Sequence, residues 1–360
     1  MMPMAAFAMK TEGRAPWDRA LVTGGAGFLG SHLCTRLLDA GVVVDCLDDL
    51  STGRAGNVAH LAGRPGFRFL ERDVADPGLP ETLPAPYGLV LHLAGPGCRA
   101  VRPDRPLELL DAAGAGTRAA LAVAGRDGAR FLLASGPEPD GGVDPFGPHA
   151  AYAEAVRFAE ALVAARAGEP GANAGIVRLF TACGPRMRTD TGVPGVFVEQ
   201  ALAGGPVTVA GDGTRRHSLC HVDDMVDGVL LVAAGRSVRP VDIGGDETPT
   251  EAEIARRVIE LTGSRAPLAF TGRAPDDPAY PRPVTGFARE IFGWMPRTTW
   301  QAGLSHTLTP PPTPLPPPTT THPRVNGHLR VDGHPHTDGR PEVRPGADGG
   351  AEVPQGAADG

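Results

Sequence analysis

A glycine-rich run near the start of the chain constrains its fold more than any other feature. Residues 24–30 read GGAGFLG, and they separate a short apolar run at 19–22 from a segment, 31–40, whose leucines recur at helical spacing. A second, β-branched apolar run follows at 42–47. Strand, glycine turn, helix and strand in this order are typical of the βαβ unit of a Rossmann fold.

The residues of this run have separate roles in binding a dinucleotide. Gly24 permits the tight turn, Gly27 lets the backbone approach a pyrophosphate, and Gly30 allows the helix to pack closely on the strand. The N–H groups of Phe28 and Leu29 are expected at the helix N-terminus, where the helix dipole favours an anion. The run therefore predicts a site for the pyrophosphate of a dinucleotide.

An acidic residue at the end of the second predicted strand indicates which dinucleotide is bound. Asp48 is placed to accept hydrogen bonds from the ribose hydroxyls, and its carboxylate repels a 2′-phosphate, so the sequence favours NAD over NADP. Arg54 is expected to touch the pyrophosphate or solvent. The loops after the second, third and fourth predicted strands are expected to complete the cofactor site with Asp49, Ser51, Thr52, Gly53, Asp73, Val74, Leu93 and Ala94, although the last four are also compatible with ordinary strand ends.

Apolar runs and helical stretches continue to alternate along the chain. This alternation predicts an α/β fold, a doubly wound parallel sheet. Beyond about residue 184 the pattern becomes less regular, which predicts a smaller substrate-binding lobe. The predicted strands lie at 67–70, 89–93, 130–134 and 175–179, and the predicted helices at 107–125, 150–167, 196–203, 222–234 and 250–261.

The predicted organisation has four parts. An N-terminal extension (1–18) precedes the NAD-binding Rossmann domain (19–183), and a mainly substrate-binding lobe (184–306) follows, part of which is free to return to the sheet. Residues 307–360 are rich in Pro, Thr, Gly and His with almost no large apolar side chains, so this tail is expected to be disordered.

Composition excludes several classes of protein. A hydrophobic content of 41% is enough for a core, and a formal net charge of −7 argues against nucleic acid or an anionic membrane as partner. The five cysteines never occur in a C-x-x-C spacing, so neither a metal site nor a disulfide framework is predicted. Because no apolar stretch approaches the length of a membrane span, we expect a cytoplasmic protein.

The order of the motifs resembles a known family. Between roughly residues 20 and 300 the chain contains LVTGGAGFLGSHLCTRLLDAG, CLDDLSTGR, RDV, LHLAGP, FLLAS, CGPRM, GDG, HVDD and FGWMP. This is similar to the extended short-chain dehydrogenase/reductase family, and most similar to UDP-glucuronate decarboxylases and related nucleotide-sugar epimerases and dehydratases. The resemblance implies a Rossmann fold, a bound NAD, a UDP-sugar substrate that is transiently oxidised at C4, and a homodimer.

The resemblance assigns the catalytic base to Tyr152, in AAYAEAV. Family members carry a lysine four residues later, which lowers the pKa of the tyrosine, whereas this chain has Val156 there and no lysine apart from Lys10. An unassisted tyrosine with a pKa near ~10 is ionised in only about one part in a thousand at pH 7. Proton transfer by Tyr152 is therefore expected to be impaired.

The hydroxyl group that holds the substrate oxygen in this family is also missing. Its expected position after the strand FLLAS is Gly136, and Ser135 is the alternative donor one position earlier. Glu138 remains, and the resemblance implies that it handles protons near the substrate carboxylate.

Three arginines are the candidate ligands of the substrate diphosphate. The resemblance implies this role for Arg186, Arg215 and Arg282, and guanidinium groups bind phosphate bidentately. His217 and His221 replace an Arg and a Tyr of the family pattern. The alternative is that the arginines are solvated surface residues.

Two functions remain open at this point. The first is an NAD-dependent nucleotide-sugar enzyme, UDP-glucuronate decarboxylase-like or 4-epimerase-like, which the retained Tyr152, Glu138 and glycine run favour. The second is a catalytically impaired NAD-binding protein that serves as scaffold or partner of an active homologue, which the loss of the lysine and the hydroxyl group favours.

We expect NAD(H) to bind at least about tenfold more tightly than NADP(H), a difference of about 1.4 kcal/mol, because the Asp48 carboxylate repels a 2′-phosphate. Calorimetric titration of both dinucleotides measures the ratio. Equal affinities would mean that Asp48 does not face the adenosine ribose.

Overall fold

A parallel sheet of seven strands forms the centre of the protein. The computed structural model describes residues 15–84, 86–95, 106–137, 144, 146–147, 149–190, 192–273 and 281–308. The predicted doubly wound sheet is confirmed, with every strand pair parallel. From one edge to the other the strands are β3 (Phe67–Glu71), β2 (Val43–Asp48), β1 (Arg19–Thr23), β4 (Leu89–His92), β5 (Arg130–Ser135), β6 (Ala174–Leu179) and β10 (Val241–Ile243).

Helices cover both faces of this sheet. The helices of the first half are α1 (Phe28–Asp39), α2 (Leu79–Thr82), α3 (Pro106–Asp111), α4 (Thr117–Asp127) and α5 (Ala150–Ala167), and α7 (Val222–Ala234) joins them on the sheet. On one face, α4 and α5 bury side chains such as Ala120, Val123 and Val163. On the other face, α1 and α7 bury side chains such as Leu33 and Val226.

The helix predicted at 107–125 is interrupted by a π-helical turn, Ala112–Gly116, between α3 and α4. Two glycines in this turn are closely covered: a Cβ atom at Gly114 would lie 3.2 Å from the Phe158 ring of α5, and one at Gly116 would lie 2.8 Å from Val74. π-Turns of this kind frequently occur at functional sites. The predicted helical stretch is therefore present over 106–127, and the π-turn inside it was not predicted because apolar periodicity alone does not reveal an extra residue in a turn.

The second half of the chain builds a smaller lobe with its own core, which includes Phe197, Val198, Ile254 and Leu304. Its elements are β7 (Thr181–Cys183), α6 (Gly192–Ala203), β8 (Val207–Ala210), β9 (Leu219–His221), α8 (Glu251–Thr262), β11 (Leu268–Thr271), α9 (Gly286–Phe292) and α10 (Trp300–Thr307). The short strands form two parallel pairs, β7 with β9 and β8 with β11. The strand β10 leaves this lobe and pairs with β6 at the sheet edge.

The predicted N-terminal extension is described only from residue 15, and the predicted tail only to residue 308, so most of both predictions falls outside the described residues. Within the described ranges, no helix has both the length and the apolar character needed to cross a membrane.

A buried aspartate joins two of the sequence motifs, HVDD and FGWMP. The Asp224 carboxylate accepts the backbone N–H groups of Arg297 (3.1 Å) and Thr298 (2.8 Å), and its carbonyl accepts the Trp294 indole N–H at 2.9 Å. These bonds fix the segment before α10 on α7.

A buried histidine connects three elements beside the glycine turn. The His92 ring, 1% exposed, lies between Thr23 Oγ1 (2.7 Å from Nδ1) and Thr117 Oγ1 (3.2 Å from Nε2). Since Ala94 N–H donates to Thr23 Oγ1 at 3.3 Å, the hydroxyl is available to donate to Nδ1 of a neutral ring. Burial lowers the pKa of His92 from 6.5 to about 4. The neutral ring therefore links β1, β4 and α4.

We expect His92 to make the protein acid-sensitive well above the carboxylate range. The folded-state pKa is about 4 and the unfolded one 6.5, so the unfolded chain gains a proton as pH falls through this window and stability is lost. Between pH 7.5 and 5 the loss from this ring is about 2 kcal/mol. Urea unfolding at both pH values should show that His92→Asn is less stable at pH 7.5 but loses less on acidification.

A matched variant at the exposed His60 should change the pH dependence far less, because less of that ring is desolvated. Burial and the nearby Arg186 also lower the pKa of His32 to about 4. His32 should therefore preserve part of the acid response in His92→Asn. Parallel pH dependences for wild type and His92→Asn would contradict the neutral-ring assignment.

Candidate active site

The glycine turn brings three backbone segments into direct contact. Gly24 has a φ of +67°, and a Cβ atom there would lie 2.8 Å from the backbone of both Leu93 and Ala94, which follow β4. A Cβ atom at Gly30 would overlap the carbonyl oxygen of Gly24. Both obstacles are backbone atoms, which cannot rotate away. Glycine is therefore required at both positions by packing, and at Gly24 also by the positive φ.

The start of α1 fits a diphosphate. Gly27 is the N-cap in an extended conformation, it has no side chain to cap the helix, and the first bond into the helix runs from Ser31 N–H to the Gly27 carbonyl at 3.1 Å. The N–H groups of Phe28 and Leu29 precede that bond, so the helix itself does not use them. A turn without side chains and a helix N-terminus are the features that the pyrophosphate of NAD needs.

Asp48 holds the backbone that surrounds it. Its Oδ2 accepts Ala26 N–H and its Oδ1 accepts Leu50 N–H, both at 2.9 Å. The residue is 6% exposed, and Gly53 packs directly against the carboxylate, where a Cβ atom would overlap it. Burial raises the pKa of Asp48, and the two backbone bonds oppose that rise. The predicted ribose ligand thus lies beside the glycine turn and also fixes the adjoining loop.

The other predicted cofactor residues divide into two groups. Those after β2 form the loop beside the glycine turn, in which Asp49 Oδ1 accepts Ser51 N–H (3.0 Å) and Ser51 Oγ (2.7 Å). After β3, Asp73 Oδ1 accepts Ala75 N–H at 2.8 Å and so shapes its own turn, while Val74 is buried in the core. The structure therefore gives Asp73 and Val74 local structural contacts, and their cofactor role stays a prediction.

Tyr152 lies in the first turn of α5, at the carboxyl end of the sheet. It is 6% exposed, and a Cβ atom at Gly136, directly after β5, would overlap its hydroxyl group. Val156, 2% exposed, follows one turn later on the same face of α5. Ser135 Oγ lies 3.5 Å from the Gly136 carbonyl oxygen. Glu138 lies outside the described residues.

The three arginines predicted to bind the substrate diphosphate lie in different surroundings. The Arg186 guanidinium contacts α1 and the cofactor side of the molecule, through His32 Nδ1 at 3.0 Å and the Asn57 carbonyl at 3.3 Å. Arg215 Nε lies 4.0 Å from Glu251 Oε1 in the smaller lobe. Arg282 is exposed on the segment that leads into α9. The three arginines thus have different contact partners, and their role at a diphosphate stays a prediction.

A hydrogen-bonded histidine and glutamate lie beside Arg215, and sequence analysis missed this pair. His217 Nε2 and Glu251 Oε1 are 2.8 Å apart, and Glu251 is 3% exposed at the first position of α8. Sequence analysis could not pair these two side chains, because His217 and Glu251 are 34 positions apart in the chain. The one available signal was that His217 stands where the family pattern has arginine. His92 was missed as well, and its one signal was a histidine inside the apolar run LVLHLAG.

Comparison of the sequence with known proteins gives one family. Residues 20–244 match the NAD dependent epimerase/dehydratase family. UDP-glucuronic acid decarboxylase 1 of Xenopus tropicalis is 34% identical over 81% of this chain and 71% of its own length. UDP-glucuronic acid decarboxylase 3 of Arabidopsis thaliana is 35% identical over 80% of this chain and 87% of its own length.

Solved structures give the same result. UDP-glucose 4-epimerase of Thermotoga maritima, with UDP-glucose bound, superposes with a TM-score of 0.71 at 26% identity, over 81% of this chain and 97% of that one. dTDP-glucose 4,6-dehydratase of Streptomyces venezuelae, with NAD bound, has a TM-score of 0.71 at 26% identity, over 81% and 96%. The chain belongs to the NAD-dependent epimerase/dehydratase family, and its cofactor is NAD.

Proposed function

We propose that the protein modifies a nucleotide sugar, with a UDP-sugar as substrate, by transient oxidation at C4. The observation that carries this proposal is the position of Tyr152. Its hydroxyl group lies at Gly136, at the end of β5, and β4, the neighbour of β5, ends where Leu93 and Ala94 touch the glycine turn. A phenol and a dinucleotide turn at one edge of a parallel sheet suit the oxidation of an alcohol.

In this proposal Tyr152 takes the proton from the C4 hydroxyl and gives one back when the ketone is reduced. NAD, when bound, supplies the oxidant for the sugar carbon and returns the electrons at the end of the cycle. The first turn of α5 favours the phenolate through the helix dipole, by about 0.3–1 kcal/mol. Val156, one turn below Tyr152, is apolar and cannot supply the positive charge that the family lysine provides there.

Decarboxylation is the reaction that the relatives support best. Oxidation of a glucuronate at C4 makes the carboxylate that of a β-keto acid, which loses CO₂ because the electron pair left behind is delocalised into the ketone. The relatives that are 34–36% identical to this chain are named UDP-glucuronic acid decarboxylases. A 4-epimerase would use the same oxidation with return of the electrons to the opposite face.

The second candidate is an NAD-binding protein with little turnover. Its support is the buried Val156 together with the contact between Gly136 and the Tyr152 hydroxyl. The hydroxyl fills the space that a serine or threonine side chain would need. An altered base and a missing orienting group are what this candidate requires.

We expect wild-type protein to be severely impaired with UDP-glucuronate, and the double variant Gly136→Thr/Val156→Lys to gain turnover. Restoring the cation is worth roughly 1–3 units in the Tyr152 pKa, or about 1.4–4 kcal/mol, and each 1.36 kcal/mol is about tenfold in rate. Gly136→Thr alone should show little gain, because the two repairs act as a unit and the base still lacks its cation. UDP-xylose formation and transient NADH absorbance measure the result.

The matched control is Gly136→Thr/Val156→Met, which has a long side chain at 156 without a charge and should show no gain. Tyr152→Phe in the double variant should abolish any gain. Ordinary turnover by the wild type would refute the impairment and indicate another base. A double variant that binds NAD but stays inactive would favour the second candidate.

We propose further that the protein is a homodimer that pairs through α3 and α5. Leu107 on α3 is 73% exposed, and Phe158 on α5 is 46% exposed above Gly114. A second copy of this chain would cover both side chains. Light scattering should give a dimer for wild type and a monomer for Phe158→Asp, whereas Phe270→Asp, at an equally exposed phenylalanine on β11, should remain dimeric. A monomeric wild type would contradict this arrangement.

A further inference from the structure

Two arginines from the second half of the chain donate hydrogen bonds to the loop beside the glycine turn. This cofactor loop, residues 48–57, runs from the end of β2 through a 3-10 turn at Ala55–Asn57. Arg188 donates from Nη1 to the Thr52 carbonyl at 2.6 Å, and Arg186 donates from Nη1 to the Asn57 carbonyl at 3.3 Å. The two contacts span 136 and 129 positions of sequence. We call these two residues the arginine clasp.

The cofactor loop is in turn hydrogen bonded to the glycine turn. Ala26, inside the turn, accepts the Arg54 N–H at 3.0 Å and the Asn57 side-chain amide at 2.8 Å on its carbonyl oxygen. Its own N–H donates to Asp48 at 2.9 Å. Both polar groups of the Ala26 backbone are thus bonded to the cofactor loop. A shift of the loop therefore shifts the turn.

The clasp is itself held by a carboxylate. Asp190 accepts two bonds from Arg188, at 2.9 Å from Nε and 2.6 Å from Nη2, and lies 3.7 Å from Arg54 Nη2. This bidentate pair fixes the orientation of the Arg188 guanidinium, which leaves Nη1 for the Thr52 carbonyl. Behind it, Gly195 of α6 packs on the Arg188 carbonyl with no space for a side chain. The contacts run without a gap from the smaller lobe to the glycine turn.

Backbone strain lies at both ends of this connection. Leu50 has a φ of +59° and Arg186 a φ of +68°, and these are the two described non-glycine residues in the left-handed region. Each such residue costs roughly 1 kcal/mol or more, and it persists where surrounding contacts determine the conformation. Strain at Leu50 in the loop and at Arg186 in the clasp is consistent with segments that the surrounding contacts fix in one position.

We infer that Arg188, held by Asp190, and Arg186 are positioning residues for the cofactor, which set the affinity for NAD by fixing the cofactor loop against the glycine turn. This gives Arg186 a role at the cofactor loop in addition to its predicted role at the substrate diphosphate. The inference does not depend on the sugar substrate.

A simple charge effect makes the opposite prediction for one variant. If the arginines acted only as cations near an anionic dinucleotide, Asp190→Asn would tighten binding, because a negative charge is removed while Arg188 stays. If Arg188 acts through position, Asp190→Asn weakens binding, because the guanidinium loses the partner that orients it. The sign of the change separates the two mechanisms.

The experiment is calorimetric titration of NAD into full-length protein freed of copurified nucleotide, for Arg188→Ala, Arg188→Lys, Asp190→Asn and the control Arg64→Ala. Arg64 forms a comparable exposed pair with Asp39 at 2.8 Å and does not touch the loop. We expect the Kd of NAD to rise about five- to tenfold in Arg188→Ala and Asp190→Asn, about 1–1.4 kcal/mol. Arg64→Ala should change it less than about twofold.

Hydrogen exchange of the amides at 50–57 in the cofactor-free protein gives a second readout. It should accelerate at least about fivefold in Arg188→Ala and Asp190→Asn and stay unchanged in Arg64→Ala. Tighter NAD binding by Asp190→Asn, or an unchanged Kd in Arg188→Ala, would overturn the inference. If Arg188→Ala fails to fold, the same two measurements are made on Asp190→Asn and on Arg188→Lys. The lysine keeps the charge but lacks the planar guanidinium, so both variants should still weaken NAD binding.

Discussion

The site depends on backbone contacts that leave no space for a Cβ atom. At Gly24 the turn after β1 touches the chain that leaves β4, and at Gly30 the first turn of α1 touches the Gly24 carbonyl. These contacts set the distance between the helix N-terminus and the end of β4. Asp48, His92 and the residues after β4 then occupy fixed positions around one turn. A methyl group at either glycine would separate elements whose spacing defines the cofactor site.

The surroundings of Tyr152 differ from those of the glycine turn. Around the glycine turn, where the dinucleotide is expected to bind, the Asp48 carboxylate accepts hydrogen bonds from the backbone of Ala26 and Leu50. At α5 the phenol of Tyr152 is buried, with an apolar Val156 beneath it and a glycine at its hydroxyl group. The glycine turn and the proposed acid–base group are therefore carried by different elements, the turn between β1 and α1 and Tyr152 on α5.

Much of the first half of the fold followed from sequence because each element has a local cause. The helix α5 has the predicted bounds, 150–167, because its alanines and valines repeat at helical spacing. The strands β7 to β11 were missed because three or four residues are too few to show an alternating pattern. The partners of Asp48 at Ala26 and Leu50 belong to geometry that residue types do not encode. The contacts of Arg186 with His32 and Asn57 show the same limit, because they join positions 154 and 129 residues apart.

The edge strand β10 has a consequence for how the protein is made. The neighbouring strand β6 ends at Leu179, and its partner β10 begins only at Val241. At roughly 5–20 residues per second, a ribosome needs about 3–12 seconds to synthesise the residues between them. During that interval β6 presents unpaired backbone groups to other nascent chains. The smaller lobe is thus produced inside a time window in which the sheet has an open edge, and chain release anywhere in this stretch leaves an aggregation-prone fragment.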